Sequence, residues 1–160
     1  MKTEIVYAYG YPEKVKELFT EYTDMLIEGE PEFRKYLDRQ NYDEEVKHIE
    51  MKYGLPYGRL YLLFCDNELA GSIGLKRFDE NGCEIKRLYV KPKFRGNHFG
   101  ELLVKKIIAD AAEIGYKCIL LDTLPFLKNA IHMYKKLGFY EIESYNNSPM
   151  DNLIYMKYDL

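Results

Sequence analysis

A strand, a helix and a second strand follow one another between residues 83 and 124, and this order constrains the fold more than any other feature. CEIKRLYV (83–90) and KCILLDTL (117–124) have the apolar residues of strands. The segment between them has apolar residues at helical spacing and ends at Gly115, the residue type expected just past a helix. Two strands joined by a helix pair in parallel through a right-handed crossover. The sequence therefore predicts an α/β fold whose sheet contains a parallel pair.

Further strands and helices flank this unit. Apolar runs bounded by turns predict strands at residues 3–9, 59–65, 69–78, 139–144 and 152–160. Helical spacing predicts a helix at 12–29, one or two short helices within 32–54, and a last helix at 125–138. The predicted order is β-α-α-β-β-β-α-β-α-β-β. This is a mixed sheet of about seven strands with helices on both faces, in one domain that covers residues 1–160.

The alternation of the strand that begins this unit is interrupted. Ile85 falls on one parity, whereas Leu88 and Val90 fall on the other. An extra residue in one strand reverses the face that the following side chains occupy. We therefore predict a β-bulge near Lys86 and Arg87.

The bulk composition argues against several classes of protein. The chain has 160 residues, a net charge of −3 and a pI of about 5.7, whereas a nucleic-acid-binding domain would carry a basic face. The N-terminus, MKTEIVYAYG, lacks the apolar core of a secretory signal, and no apolar run reaches the length of a membrane span. We therefore expect a cytoplasmic protein that binds neither nucleic acid nor membrane.

The three cysteines, Cys65, Cys83 and Cys118, lie in strand-like apolar runs. Their number is odd, and the sequence contains neither a Cys-x-x-Cys pair nor a Cys/His spacing typical of zinc sites. We expect buried free thiols in a reducing compartment, and no metal site.

The loop that opens the central helix has two interpretations. Its sequence, from Arg95 to Gly100, is RGNHFG. Helix N-termini bind anions because free backbone N–H groups point outward there and the helix dipole adds positive charge. The loop matches neither the Walker pattern nor Gly-x-Gly-x-x-Gly. On its own, it is either a phosphate cradle or an ordinary connection between strand and helix.

Two longer segments resemble the general N-acetyltransferase (GNAT) superfamily. EIKRLYVKPKFRGNHFGELLV resembles its acetyl-CoA-binding motif, and LDTLPFLKNAIHMYKKLGF resembles its later strand-and-helix motif. The order of elements resembles the family fold across nearly the whole chain. Residues 121–125 and 145–149 are similar to a bacterial small-molecule-type subgroup. The family pattern has glycine three residues after the loop arginine, where this chain has His98.

The resemblance implies a site for acetyl-CoA as co-substrate, with no metal. The bulge would splay the two parallel strands, and the thioester would enter the gap between them. The backbone of the first strand would pair with the pantetheine arm, the loop amides would hold the pyrophosphate, and Asn129 would hydrogen-bond the arm. The implied cofactor-binding residues are Leu88, Tyr89, Val90, Arg95, Gly96, Asn97, His98, Phe99, Gly100, Asn129 and Tyr134.

The implied chemistry is direct attack of a neutral primary amine on the thioester. The Val90 N–H is the expected oxyanion donor. Tyr134 is the expected general acid, because a phenol can protonate a leaving thiolate; the alternative is that it only packs on the apolar stripe of its helix. Glu84 is the candidate base, or else a solvated charge. Asp122 is a second carboxylate to consider.

The acceptor site is expected in the segments that the family varies, residues 12–54 and 145–151. Its candidate residues are Phe33, Tyr36, Arg87, Asp122 and Tyr145. Arg87 would either pair with an acceptor carboxylate or be a surface charge. We expect a small-molecule acceptor, such as an amino acid or a polyamine-like compound. A protein amine, a longer acyl-CoA and an acyl-CoA-binding module without turnover are the alternatives, and the resemblance also allows a homodimer.

Overall fold

Seven strands form one open sheet within the residues that the computed structural model describes, which are 1–35, 42–146, 148, 150 and 152–160. The strands are β1 (Thr3–Tyr7), β2 (Arg59–Cys65), β3 (Glu68–Arg77), β4 (Gly82–Val90), β5 (Cys118–Thr123), β6 (Tyr140–Ile142) and β7 (Ile154–Asp159). Their order across the sheet is β1-β2-β3-β4-β5-β7-β6. All neighbouring pairs are antiparallel except β4 and β5, which are parallel because a helix connects them.

Helices lie on both faces of this sheet. In the described part of the chain they are α1 (Pro12–Gly29), α2 (Tyr42–Lys47), α3 (Ile49–Tyr53), α4 (Phe99–Ile114) and α5 (Lys128–Leu137). The predicted mixed α/β fold class is therefore confirmed. Within the same residues, no helix is long and apolar enough to cross a membrane.

The two faces carry separate apolar clusters. α1 and α3 bury Phe19 and Tyr53 on one face, together with Leu62 of β2. α4 buries Ile107 on the other face, together with Leu63 of β2. Because neighbouring side chains of a strand point to opposite faces, the sheet separates the α1 side from the α4 side.

Several predicted elements have different ends in the structure. The first strand stops at Tyr7 rather than at residue 9, because residues 8–10 form a 3-10 turn. The last helix begins at Lys128, because Pro125 lies in a turn that precedes the helix. The strand after that helix is shorter than predicted and covers only Tyr140–Ile142.

The predicted β-bulge is present in β4. Arg87 and Leu88 together oppose Ile73 of β3, and Arg87 has a φ of 57°. The extra residue reverses the alternation, so that Ile85 and Val90 both face the cluster under α4 despite their opposite parity.

β4 and β5 pair only at their first residues. Gly82–Glu84 lies beside Cys118–Leu120, and the register that the structure describes contains no further pair. The sheet therefore opens into a gap between residues 85–90 of β4 and residues 121–123 of β5. The predicted splayed parallel pair is confirmed, and the open edge of β4 presents backbone N–H and C=O groups to whatever enters the gap.

The cysteines are free thiols, as the sequence predicts. Cys65 and Cys83 are buried and Cys118 is half-buried. Burial raises the pKa of Cys83 to about 12, with smaller contributions from the charges of Cys118 and Glu84. This thiol therefore stays protonated at neutral pH and is a poor nucleophile.

Candidate active site

A cavity of about 990 Å³ lies at the gap between β4 and β5. Its walls come from residues 85–90 of β4, the loop and first turn of α4, the end of β5, the start of α5, the end of α1 and the loop after β6. Small-molecule sites span roughly 300–1,000 Å³, so this cavity can hold a large ligand or two smaller ones.

The N-terminus of α4 opens into this cavity. His98 precedes the helix, and its side chain makes no capping hydrogen bond to the N–H groups of the first turn. Gly96 and His98 both have left-handed backbone, with φ values of 85° and 60°. Uncapped first-turn amides beside a glycine form an anion site. The residues present therefore fit the pyrophosphate of coenzyme A.

His98 occupies a position that requires left-handed backbone. Glycine adopts a φ of 60° freely, whereas histidine adopts it less often. The side chain is 79% exposed, and its Nδ1 lies 3.5 Å from Glu101 Oε2. The imidazole therefore points outward at the cavity rim and leaves the amides of the first turn uncovered.

Two other side chains stabilise the loop itself. Arg95 Nε donates to the Val90 carbonyl at 3.0 Å, and the Arg95 guanidinium lies 5.7 Å from the centre of the Tyr89 ring. Asn97 Nδ2 donates to the Phe94 carbonyl at 2.9 Å. Of the predicted cofactor-binding residues, Asn97 is the one that does not line the cavity.

The backbone of β4 points into the gap at the predicted oxyanion position. The Lys91 N–H donates to the Ala70 carbonyl of β3 at 2.8 Å. N–H groups alternate sides along a strand, so the Val90 N–H points away from β3 and toward β5. It is available to a carbonyl oxygen in the gap.

Tyr134 of α5 lines the cavity from the α4 side of the sheet. Its side chain is 5% exposed, and its ring centre lies 5.4 Å from that of Phe139. Burial raises the pKa of the Tyr134 phenol, and the charges of Tyr22 and Asp122 add to the effect. A phenol with a raised pKa keeps its proton at neutral pH, so Tyr134 presents a neutral O–H donor to the cavity.

Glu84 lies beside the cavity without lining it. The side chain is 6% exposed, so it is not the solvated charge that was the alternative prediction. Tyr145 donates its hydroxyl proton to Glu84 Oε2 at 2.7 Å, and Lys86 Nζ and Lys76 Nζ lie 3.6 and 3.9 Å from the carboxylate. Burial and the charge of Glu84 raise the pKa of Tyr145, which also lies outside the cavity lining.

Arg87 lines the cavity, but Glu45 holds its guanidinium. Arg87 Nε donates to Glu45 Oε2 at 2.6 Å, and a terminal nitrogen donates to Oε1 at 2.7 Å. Lys52 also hydrogen-bonds this carboxylate, and Tyr53 donates to it at 3.2 Å. Arg87 is buried, so the alternative prediction of a surface charge is wrong.

The other predicted acceptor residues differ in where they lie. Phe33 and Asp122 line the cavity, whereas Tyr36 falls outside the described residues. Asn146 also lines the cavity and donates to Asp122 Oδ2 at 3.1 Å. Sequence reasoning identified the loop at 145–151 but not Asn146. The sequence signal for Asn146 was a pair of adjacent asparagines, Asn146 and Asn147, within this loop.

An apolar wall closes the acceptor end of the cavity. Its members share one cluster, which contains Leu26, Leu124 and Met150 as buried residues and Met25, Phe33 and Leu153 as partly buried ones. The sequence did not single out this wall, apart from Phe33, because it joins the end of α1, the end of β5 and the loop before β7. Within the same described residues, no three His, Cys, Asp or Glu side chains are grouped so that they could hold a metal ion.

The chain is similar to proteins of a known family. The acetyltransferase (GNAT) family matches residues 15–139 of the chain. An uncharacterized N-acetyltransferase of Schizosaccharomyces pombe is 39% identical over 131 residues, covering 81% of this chain and 80% of that protein.

Two solved structures have similar folds. The PaiA N-acetyltransferase of Thermoplasma acidophilum, solved in complex with coenzyme A, has a TM-score of 0.78 at 20% identity and covers 100% of both chains. A GNAT family acetyltransferase of Elizabethkingia anophelis, solved with acetyl-CoA bound, has a TM-score of 0.56 at 26% identity and covers 65% of this chain and 77% of that one. The family match spans most of the chain and agrees with the fission-yeast relative, so the chain belongs to the acetyltransferase (GNAT) family of acetyl-CoA-dependent N-acetyltransferases.

Proposed function

We propose that this enzyme transfers the acetyl group of acetyl-CoA to the primary amine of a small molecule, by direct attack of the amine. The observation that carries the proposal is a single cavity that joins the uncapped N-terminus of α4 to the open edge of β4. An anion site beside an unpaired strand edge suits a ligand with a pyrophosphate and an amide-containing arm. Asn129, in the first turn of α5, also lines this cavity and is proposed to hydrogen-bond the arm.

Three groups of the chain are proposed to act on the reacting atoms. Acetyl-CoA supplies an acyl thioester, which an amine can attack directly. The Val90 N–H would donate to the oxyanion that develops on the carbonyl oxygen. Tyr134 would donate its phenolic proton to the leaving sulfur. Glu84 is the base proposed from the sequence, and it would act through water because it does not line the cavity.

The apolar wall favours a small acceptor over a protein chain. Leu26, Leu124 and Met150 are buried and pack together, so packed apolar side chains wall this end of the cavity. A protein amine would need an open groove for its flanking residues. Membership of the bacterial small-molecule-type subgroup and a homodimer are proposed on the sequence resemblance alone, and a cytoplasmic location on the sequence patterns given above.

Thiol release measures this function directly. The purified protein is incubated with acetyl-CoA and a mixed panel of small amines, and free coenzyme A and acetylated amine are quantified together. We expect the two products in equal amounts, well above the rate of uncatalysed thioester hydrolysis. Coenzyme A binding without amine-dependent release would contradict the proposal and favour a binding module. Faster release of coenzyme A from propionyl-CoA or a longer acyl-CoA would show that the enzyme prefers that donor to acetyl-CoA.

A further inference from the structure

Asp122 and Tyr134 line the same cavity from opposite faces of the sheet. Tyr134 belongs to the apolar cluster on the α4 side, together with Leu121 of β5. Asp122 is the next residue of β5, so its side chain points to the α1 side. The cavity that both residues line therefore passes through the gap between β4 and β5. A thioester held in this gap would have Tyr134 on one side and Asp122 on the other.

Hydrogen bonds from neutral side chains orient the Asp122 carboxylate. Asn146 Nδ2 donates to Asp122 Oδ2 at 3.1 Å, and the Tyr155 hydroxyl donates to Asn146 Oδ1 at 3.1 Å. This chain of hydrogen bonds fixes the carboxylate from the side of β7. In the part of the chain that the structure describes, no basic side chain forms an ion pair with Asp122.

Two cavity-lining cations of β4 have acidic partners of their own. Arg87 pairs with Glu45 through two hydrogen bonds. Lys86 Nζ lies 3.6 Å from Glu84 Oε2. Asp122 is thus the cavity-lining carboxylate that can still attract a cation. An acceptor ammonium is the cation that the reaction brings to this place.

The wall at the acceptor end is mainly apolar, and the Arg95 guanidinium reaches it, with a terminal nitrogen 3.6 Å from Met25 Sδ. Leu26, Leu124 and Met150 are buried, and Met25 and Phe33 pack against them. A second ammonium or a carboxylate on the acceptor would lose its hydration against this wall, and burying an unpaired charge is costly. An aliphatic or aromatic body would instead gain from the apolar contact.

We propose that the acceptor is a primary monoamine with an apolar body, whose ammonium binds Asp122 and whose body packs against the wall formed by Met25, Leu26, Phe33, Leu124 and Met150. The proposal rests on the proposed function and makes it specific. It also moves the role of base from Glu84 to Asp122. Asn146 is a positioning residue, because it acts through the Asp122 carboxylate.

The proton and electron balance of the step is complete with these groups. The ammonium gives one proton to Asp122, and the nitrogen lone pair forms a C–N bond to the thioester carbon. The C–S bond breaks, and its electron pair leaves on sulfur, which takes the proton of Tyr134. The second nitrogen proton returns to the Tyr134 phenolate. The products are the amide and the free thiol, and Asp122 releases its proton to water.

Three amines of equal chain length test the acceptor class. Hexylamine has an apolar body, hexamethylenediamine adds a second ammonium, and aminocaproate adds a carboxylate. With acetyl-CoA saturating, we expect kcat/KM for hexylamine to exceed that for either charged analogue by about tenfold or more. Faster acetylation of the diamine or the amino acid would overturn the acceptor class while leaving the proposed function intact. No acetylation of any amine would overturn both.

The carboxylate is tested with an isosteric variant and a surface control. Asp122→Asn should lower kcat/KM for hexylamine by about 100-fold, while coenzyme A affinity measured by calorimetry stays unchanged. Glu113→Gln removes one exposed carboxylate of α4 and should change neither quantity. Equal activity of Asp122→Asn and the wild type would overturn the assignment.

A double-mutant cycle separates positioning from folding. Asn146→Ala should lower kcat/KM by about tenfold in the wild type but much less in the Asp122→Asn background, because its partner there has already been changed. Equal losses in both backgrounds would show that Asn146 does not act through Asp122. Unchanged coenzyme A binding in each variant confirms that the variants are folded.

Discussion

Tyr134 has two roles at once, because it packs against Phe139 and also lines the cavity. Tyr134→Phe keeps the ring and removes the proton. We expect turnover to fall by about 100-fold with little change in acetyl-CoA affinity, because the hydroxyl is proposed to act only when sulfur leaves. Tyr158→Phe is the matched control, since its ring also lies beside Phe139 but outside the cavity lining. Equal kcat values for the two variants would show that Tyr134 packs against its neighbours but does not act as the general acid.

Substitutions at His98 test the backbone conformation of the loop formed by residues 95–100. Its left-handed φ of 60° predicts that His98→Gly binds coenzyme A equally well or more tightly, because glycine adopts this conformation without strain. His98→Asn should behave like the wild type. His98→Val should destabilise the start of α4 by about 1–2 kcal/mol, because a β-branched residue resists this backbone. The measurements are calorimetric affinity and thermal unfolding. A large loss of affinity in His98→Gly would show instead that the imidazole contacts phosphate.

At the scale of elements, the bulge of β4 is held from two sides. Ser72 Oγ donates to the Arg87 carbonyl at 3.0 Å, and Glu45 holds the Arg87 guanidinium. Removing the negative charge of Glu45 would leave a buried cation without its counter-charge. Glu45→Gln should therefore lower the free energy of unfolding by about 3 kcal/mol at neutral pH. Glu44→Gln, on the exposed side of α2, is the matched control and should lower it much less.

The same ion pair gives the fold a pH dependence. Burial raises the pKa of Glu45, but Arg87 and Lys52 outweigh it, so the pKa lies below its ordinary value. A depressed carboxyl pKa contributes stability that is complete above the unfolded pKa and lost as pH falls through the folded pKa. The stability difference between the wild type and Glu45→Gln should shrink below about pH 4.3. A difference that stays constant into acid would contradict this assignment.

At the scale of the whole molecule, local patterns predicted the fold well. The parity change between Ile85 and Val90 predicted the bulge, and the helix between two strands predicted the parallel pair. Both are short-range signals that one segment carries alone. The ends of elements were less accurate, because turns such as the one at Pro125 depend on hydrogen bonds that spacing does not reveal.

The site could be predicted only in part, because its partners come from distant segments. Family resemblance gave residues that line the cavity, including Tyr134 and Asn129. Arg87 could not be assigned from sequence, since its partner Glu45 lies 42 residues away. Glu84 looked like a base, but its partner Tyr145 lies 61 residues away and holds it beside the cavity.

The acetyl thioester is proposed to lie in the gap between β4 and β5, and a crystal structure of the protein with acetyl-CoA would test this position. We predict the pyrophosphate at the first-turn amides of α4, the arm along residues 88–90, and the acetyl oxygen within hydrogen-bond distance of the Val90 N–H. The sulfur should face Tyr134, and Asp122 should lie across the gap. An acetyl group bound outside this gap, or a gap closed by direct pairing of β4 and β5, would contradict the account.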